Sequence, residues 1–165
     1  MDNTPNTPAS HTLEFEPTFQ WVAQTNRWNS AAACIASLVK KPIDEVLEVA
    51  AQQFKLPANG RWSSVPKSIP DLLAHYEWWV ASQYRLATAV SDLPDLALVL
   101  LSNKPDQFAL FHRQRFKSDR LPVPYLINPA LGVTADLQYR REIENIMPCK
   151  YLNLCLMAEY MKDFW

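Results

Sequence analysis

Between Ser30 and Val39 the chain reads Ser-Ala-Ala-Ala-Cys-Ile-Ala-Ser-Leu-Val, ten residues without a charge, a glycine or a proline. Alanine and leucine favour the helical backbone, so the stretch predicts a helix over about residues 30–40. That helix has almost no polar face, and a helix of this kind belongs inside a domain rather than on its surface. Asn29 and Ser30 stand at its start as N-cap residues, whose short side-chain oxygens can accept from first-turn amides. Lys41-Pro42 ends it. The rest of the chain must therefore supply the layers that cover it.

There is enough chain to do so. The 165 residues are 48% hydrophobic, which suits one domain with a proper core. Residues 1–16 are polar and rich in Pro and Thr, and read as a flexible leader; residues 17–165 read as a single domain. The leader is neither a signal peptide nor a basic transit sequence, so the expectation is a cytoplasmic protein, with export by a signal-independent route left open. A net charge of −1 gives no bias toward nucleic acid or an anionic membrane. No apolar run approaches the roughly 18 residues of a membrane span.

Only two glycines occur, Gly60 and Gly132. Neither a phosphate-binding P-loop nor a GxGxxG dinucleotide turn can be written with them. His11, His75 and His112 are scattered and form no HExxH, so neither a metal nor a cofactor is expected. Cys34, Cys149 and Cys155 lie among apolar neighbours and read as buried thiols, not as a disulfide framework.

Taken in order, Phe15 to Trp21 looks extended, and the central helix follows. Pro42 sets up a second helix over about 43–54, with Ile43, Val46, Leu47, Ala50, Ala51 and Phe54 on one face. Ala58-Asn59-Gly60 is a turn, and a short helix covers about 69–76. Strands are expected at Trp78–Ala81, Leu96–Leu101, Phe108–Arg113 and Tyr125–Asn128, at Tyr84–Val90 with a helix as the alternative, and at Tyr151–Met157, where strand is favoured over helix. The continuous apolar run Leu96–Leu101 suits a strand buried on both faces. Ala135–Ile146 reads as a further helix with Leu137, Ile143 and Ile146 inward. Helices first and a mainly antiparallel sheet second make an α+β domain.

Three short motifs appear in order: Gln24 six residues ahead of Ser30 and the Ala-rich helix, Gln107-Phe108-Ala109-Leu110 after an apolar strand, and Asn128-Pro129-Ala130-Leu131-Gly132. On these the chain resembles the papain-like cysteine peptidases, most of all the leader-peptidase domains of bacteriocin exporters and the related effector proteases of plant pathogens. The resemblance spans about residues 19–132. It implies a papain-like fold, with a central buried helix packed on the sheet. It places Ser30 at the nucleophile position, Gln107 at the general base, Asn128 at the residue that orients the base and Gln24 at the oxyanion donor.

Two of those four positions carry the wrong chemistry. An amide at Gln107 cannot accept a proton near neutral pH, and a serine hydroxyl is far less acidic than a thiol. His112 cannot replace the base, because an odd spacing from residue 107 turns it to the other face of a strand. Cys34 lies a full turn inside the helix and reads as a core thiol. The resemblance therefore implies a catalytically inactive domain that binds a peptide or protein segment in a relic cleft, in a bacterial secretion or virulence setting. The alternative is a working peptidase or acyl transferase whose cysteine has been changed to Ser30. A third reading is a structural subunit whose cleft its own side chains fill. Two further features belong to no motif: the tryptophans Trp28, Trp62, Trp78 and Trp79, and the basic loop Arg113, Arg115, Lys117 and Arg120, which reads first as a solvated hairpin tip.

Overall fold

The computed structural model describes residues 15–62, 68–103, 106–162 and 164, and residues 1–14 of the expected leader lie outside these. Three helices come first: α1 (Ser30–Val39), α2 (Ile43–Phe54) and α3 (Ser68–His75). They are followed by strands β1 (Trp78–Val80), β2 (Arg85–Ala87), β3 (Leu96–Asn103), β4 (Asp106–Gln114), β5 (Val123–Ile127), β6 (Tyr139–Arg140) and β7 (Cys149–Leu156). Two short helices, α4 (Ala135–Gln138) and α5 (Met157–Lys162), complete the chain. The class is α+β, and every strand pairing is antiparallel.

The sheet runs β1-β7-β3-β4-β5-β6, with β2 pairing further along β7 on the side where β1 also lies. The last long strand in sequence thus enters beside β3, through Ala97↔Asn153 to Leu100↔Lys150. Strand β3 alternates across the sheet. Leu96, Leu98 and Leu100 face the helices, whereas Ala97, Val99 and Leu101 join a second cluster on the opposite face. Its unbroken apolar sequence is the mark of that two-sided burial.

On the first face lies α1. From Ser30 to Leu38 every residue is buried, and Ala32, Ala33, Ile35 and Ala36 are fully so. Alanines let the helix approach β4 closely, and larger residues come from the sheet: Phe108, Leu110, Tyr125 and Ile127. Each buried methylene-sized group contributes about 0.8 kcal/mol. Lys40 ends the helix in a left-handed conformation, φ 61°, its amide donating to the Ala36 carbonyl. In α2, Ile43, Val46 and Ala50 point inward and Asp44 and Glu45 occupy the first turn, where the helix dipole favours them.

Among the described residues no α-helix joins the cluster on the second face. Two single-turn 3₁₀ segments, Val90–Asp92 and Glu144–Ile146, bring Val90, Leu93, Ile143, Ile146 and Met147 over Ala109, Phe111, Leu126 and Tyr151. Arg113 secures the first of them, donating to the carbonyls of Val90 and Leu93, each at 2.9 Å, and pairing with Asp95. Arg115 takes the same carboxylate in two contacts of 2.6 and 3.0 Å. Arg120 lies over the Phe116 ring. Arg113, Arg115 and Arg120 of the expected solvated basic loop are thus held by internal contacts.

Three expectations are corrected here. The strand expected over 84–90 stops at Ala87, because the Asp92 carboxylate accepts the Thr88 and Ala89 amides at 2.9 and 3.1 Å and turns the backbone. The helix expected over 135–146 stops at Gln138, because Tyr139 and Arg140 pair instead with Ile127 and Leu126 of β5. Leu137 is consequently exposed rather than inward, while Ile143 is buried. Cys34 and Cys149 are buried as expected, but Cys155 is half-buried. None of the described helices is long and apolar enough to cross a membrane.

Candidate functional site at the head of the central helix

The loop that leads into α1 closes on itself through Asn29. Its carboxamide oxygen accepts the Thr25 and Asn26 amides at 3.0 and 3.3 Å, and its nitrogen donates to the Thr25 hydroxyl at 2.7 Å. Facing backward in this way, the Asn29 side chain caps no helix amide. Ser30 is not the cap either: it is the first helical residue, and its hydroxyl leaves the helix for β4. Ser30 Oγ accepts the Phe108 amide at 2.9 Å and donates to the Asp106 carbonyl at 3.3 Å.

The geometry of the sheet explains this. Strand β5 pairs with β4 only from Leu110 to Gln114, so β4 has no neighbour on that side over 106–109. The Ser30 hydroxyl stands where the missing strand would be and satisfies one donor and one acceptor. Ser30 is itself 0% exposed. Any of these groups left unpaired at such burial would cost about 1–3 kcal/mol.

Gln107 lies between the two backbone groups that Ser30 binds. Its amide donates to Gln24 Oε1 at 2.8 Å, and Gln24 Nε2 donates in turn to the Asn26 carbonyl at 2.9 Å. The Gln24 backbone amide reaches the Pro129 carbonyl at 2.9 Å. Gln24 is buried, while Gln107 and Asn128 are half-buried. Asn128 turns its carboxamide oxygen to the Ala130 amide at 3.1 Å, and its carbonyl accepts the Trp21 indole at 2.7 Å. The fold therefore gathers Gln24, Ser30 and Gln107 at one point. Asn128 joins through backbone contacts around Pro129, its side chain engaged in its own turn.

Among the described residues, the side chains bonded in this cluster are two amides and a hydroxyl, none of which takes a proton near neutral pH. His112 is on the same strand as Gln107, but its ring lies against Phe19 and within 3.0 Å of the Tyr125 hydroxyl. Burial pushes His112 down to about 4, so it is neutral at pH 7. Burial raises the Asp106 carboxyl above its ordinary value, and burial with the Asp106 charge raises Tyr84 to about 12. The Cys34 thiol is fully enclosed and pushed far up by desolvation. Among the described residues no three His, Cys, Asp or Glu side chains come together as metal ligands would.

Sequence reasoning missed the partner of the Ser30 hydroxyl and the backward role of Asn29. The Ser30 partners lie 76 and 78 residues away and carry no local signal, whereas Asn29 bonds within its own loop, to Thr25 and Asn26. Clefts of about 540 and 710 Å³ lie at the other end of α1, beside Lys40 and Lys41. No protein-family model matches the chain, and its sequence matches no curated protein.

Proposed function

We propose that this chain is a catalytically inactive domain of papain-like type, which recognises a peptide or protein segment without cutting it. The observation that carries the reading is the state of the Ser30 hydroxyl, buried and committed to the Asp106 carbonyl and the Phe108 amide. A nucleophile must present a free lone pair to its substrate and pass its proton to a base. Ser30 is 0% exposed and its proton goes to the Asp106 carbonyl rather than to a base, and Gln107 at the base position is an amide bound to Gln24. The half-buried Gln107 and Asn128 have exposed apolar groups nearby: Tyr84, on which the Asp106 charge acts, and Leu131, three residues beyond Asn128. A mixture of amides and apolar side chains suits an extended peptide. The resemblance of these motifs to the bacterial peptidase domains supports a bacterial setting.

The closure of Ser30 and Gln24 also favours a second reading, a structural subunit whose cleft its own side chains fill. Both readings predict that the wild type has no peptidase or amidase turnover. In Ser30→Cys alone the thiol should alkylate slowly, because no base stands beside it. Ser30→Cys with Gln107→His should alkylate faster, with a rate that rises through the histidine's titration. Turnover by the wild type, or by Ser30→Cys alone, would overturn the inactive-domain reading. Peptide binding by calorimetry separates a recognition domain from a filled structural one.

A further inference from the structure

Two arginines converge on one indole beside this site. Arg27 and Arg61 each hold their guanidinium carbon 4.2 Å from the centre of the Trp28 ring, so the two charges lie no further apart than twice that distance. Both arginines are exposed and Trp28 is half-buried. Neither arginine has an acidic partner among the described residues, whose ion pairs use Asp95 and Glu159 instead. Like charges repel at that separation, and an unsupported surface would let the side chains part.

This surface is supported. Gly60 packs directly on Asn29, with no room for a Cβ between them, and so seats the 57–62 loop on the 25–29 loop. Asn26 Nδ2 donates to the Asn59 carbonyl at 3.0 Å, and Asn59 Oδ1 accepts the Arg61 amide at 2.9 Å. Trp62, 3% exposed, anchors the loop in the core. The same Asn26 accepts the Gln24 amide that holds Gln107, so the arginine pair borders the relic site directly.

We infer that Arg27, Trp28 and Arg61 form a clamp for a carboxylate, and that the recognised segment is an acidic peptide. A guanidinium binds a carboxylate through two parallel hydrogen bonds, and two of them held against one indole offer an acidic segment two such contacts. A single pair on a chain of net charge −1 fits a short acidic segment better than a nucleic-acid backbone. The inference deepens the proposed function and rests on it.

The test uses the full chain and a fluorescein-labelled peptide carrying consecutive glutamates, with its glutamine counterpart and a single-stranded oligonucleotide of equal charge as controls. Anisotropy should show tighter binding of the glutamate peptide, weakening as salt is added. R27A and R61A should each weaken it by on the order of fivefold, as for an exposed ion pair, with thermal stability unchanged. No preference for glutamate over glutamine, binding that survives the double variant, or an oligonucleotide that binds as tightly would overturn the clamp. Gln107→Trp separates the two levels. If it abolishes binding while the arginine variants do not, the clamp fails and the cleft reading stands. If only the arginine variants act, the clamp stands and the cleft reading fails.

Discussion

The contact between Gly60 and Asn29 invites a paired substitution. Gly60 and Gly132 have nearly the same left-handed backbone, φ 77° and 75°, but different surroundings. A Cβ on Gly132 meets no heavy atom within 4 Å. A Cβ on Gly60 would overlap Asn29 Cβ and stand 3.2 Å from Asn29 Cα and 3.1 Å from Leu47 Cδ2. Asn29 cannot retreat, because its carboxamide closes the 25–29 loop and its carbonyl accepts the first helical amide, from Ala33. Gly132→Ala should therefore lose only the conformational term, about 1–2 kcal/mol. Gly60→Ala carries the same term plus overpacking of about 1–3 kcal/mol. The entropy that alanine removes from the unfolded chain is common to both and cancels. The expected difference is about 2 kcal/mol in urea unfolding followed by tryptophan fluorescence, or roughly 4–8 °C in Tm for a chain of this size. Equal losses at the two positions would refute the claim that the two loops are locked by this contact.

Ser30→Ala should cost about 1–2 kcal/mol, since orphaning the Phe108 amide outweighs the small helix-propensity gain of alanine. Hydrogen exchange at Phe108 should quicken while Leu110, beyond the open edge of β4, stays protected; unchanged exchange at Phe108 would contradict the bond assigned to Ser30. His112 makes stability fall in mild acid. Its folded value of about 4 lies below the ordinary 6.5, so the unfolded chain binds more protons between them. Its contribution is complete above about pH 6.5 and is lost as pH falls toward 4, by about 2 kcal/mol once solvent screening at a partly exposed ring is allowed for. Asp95 adds loss only at lower pH, because Arg115 and Arg113 hold its carboxyl below the usual range. Denaturant titrations across this window, compared with His112→Asn, isolate the histidine; an identical pH slope in the variant would contradict the assignment.

How much of this could be read without the structure depends on the range of the interaction. The burial of α1 was legible because a charge-free alanine run has no other stable place, and its covering by a sheet followed from the strands downstream. The two-sided burial of β3 was legible for the same reason, since a strand with no polar face needs cover on both sides. The turn at Asn59-Gly60 was visible too, because residue type alone favours a left-handed backbone there. Other features had no local signal. Tyr139 and Arg140 become a strand only because β5 offers them an edge, and Asp92 halts β2 only because its carboxylate reaches two amides.

At the site the division is sharper. The sequence alone determined which functional groups are present: an amide at Gln107, a hydroxyl at Ser30 and two glycines in the whole chain. Covalent identity is local, and no packing can alter it. Only the tertiary structure decided which of those groups meet, that Ser30 serves β4 rather than its own helix, and that two arginines share one indole. These depend on where strand β5 ends and how closely Gly60 lets two loops approach, and such distances arise only when the segments pack together.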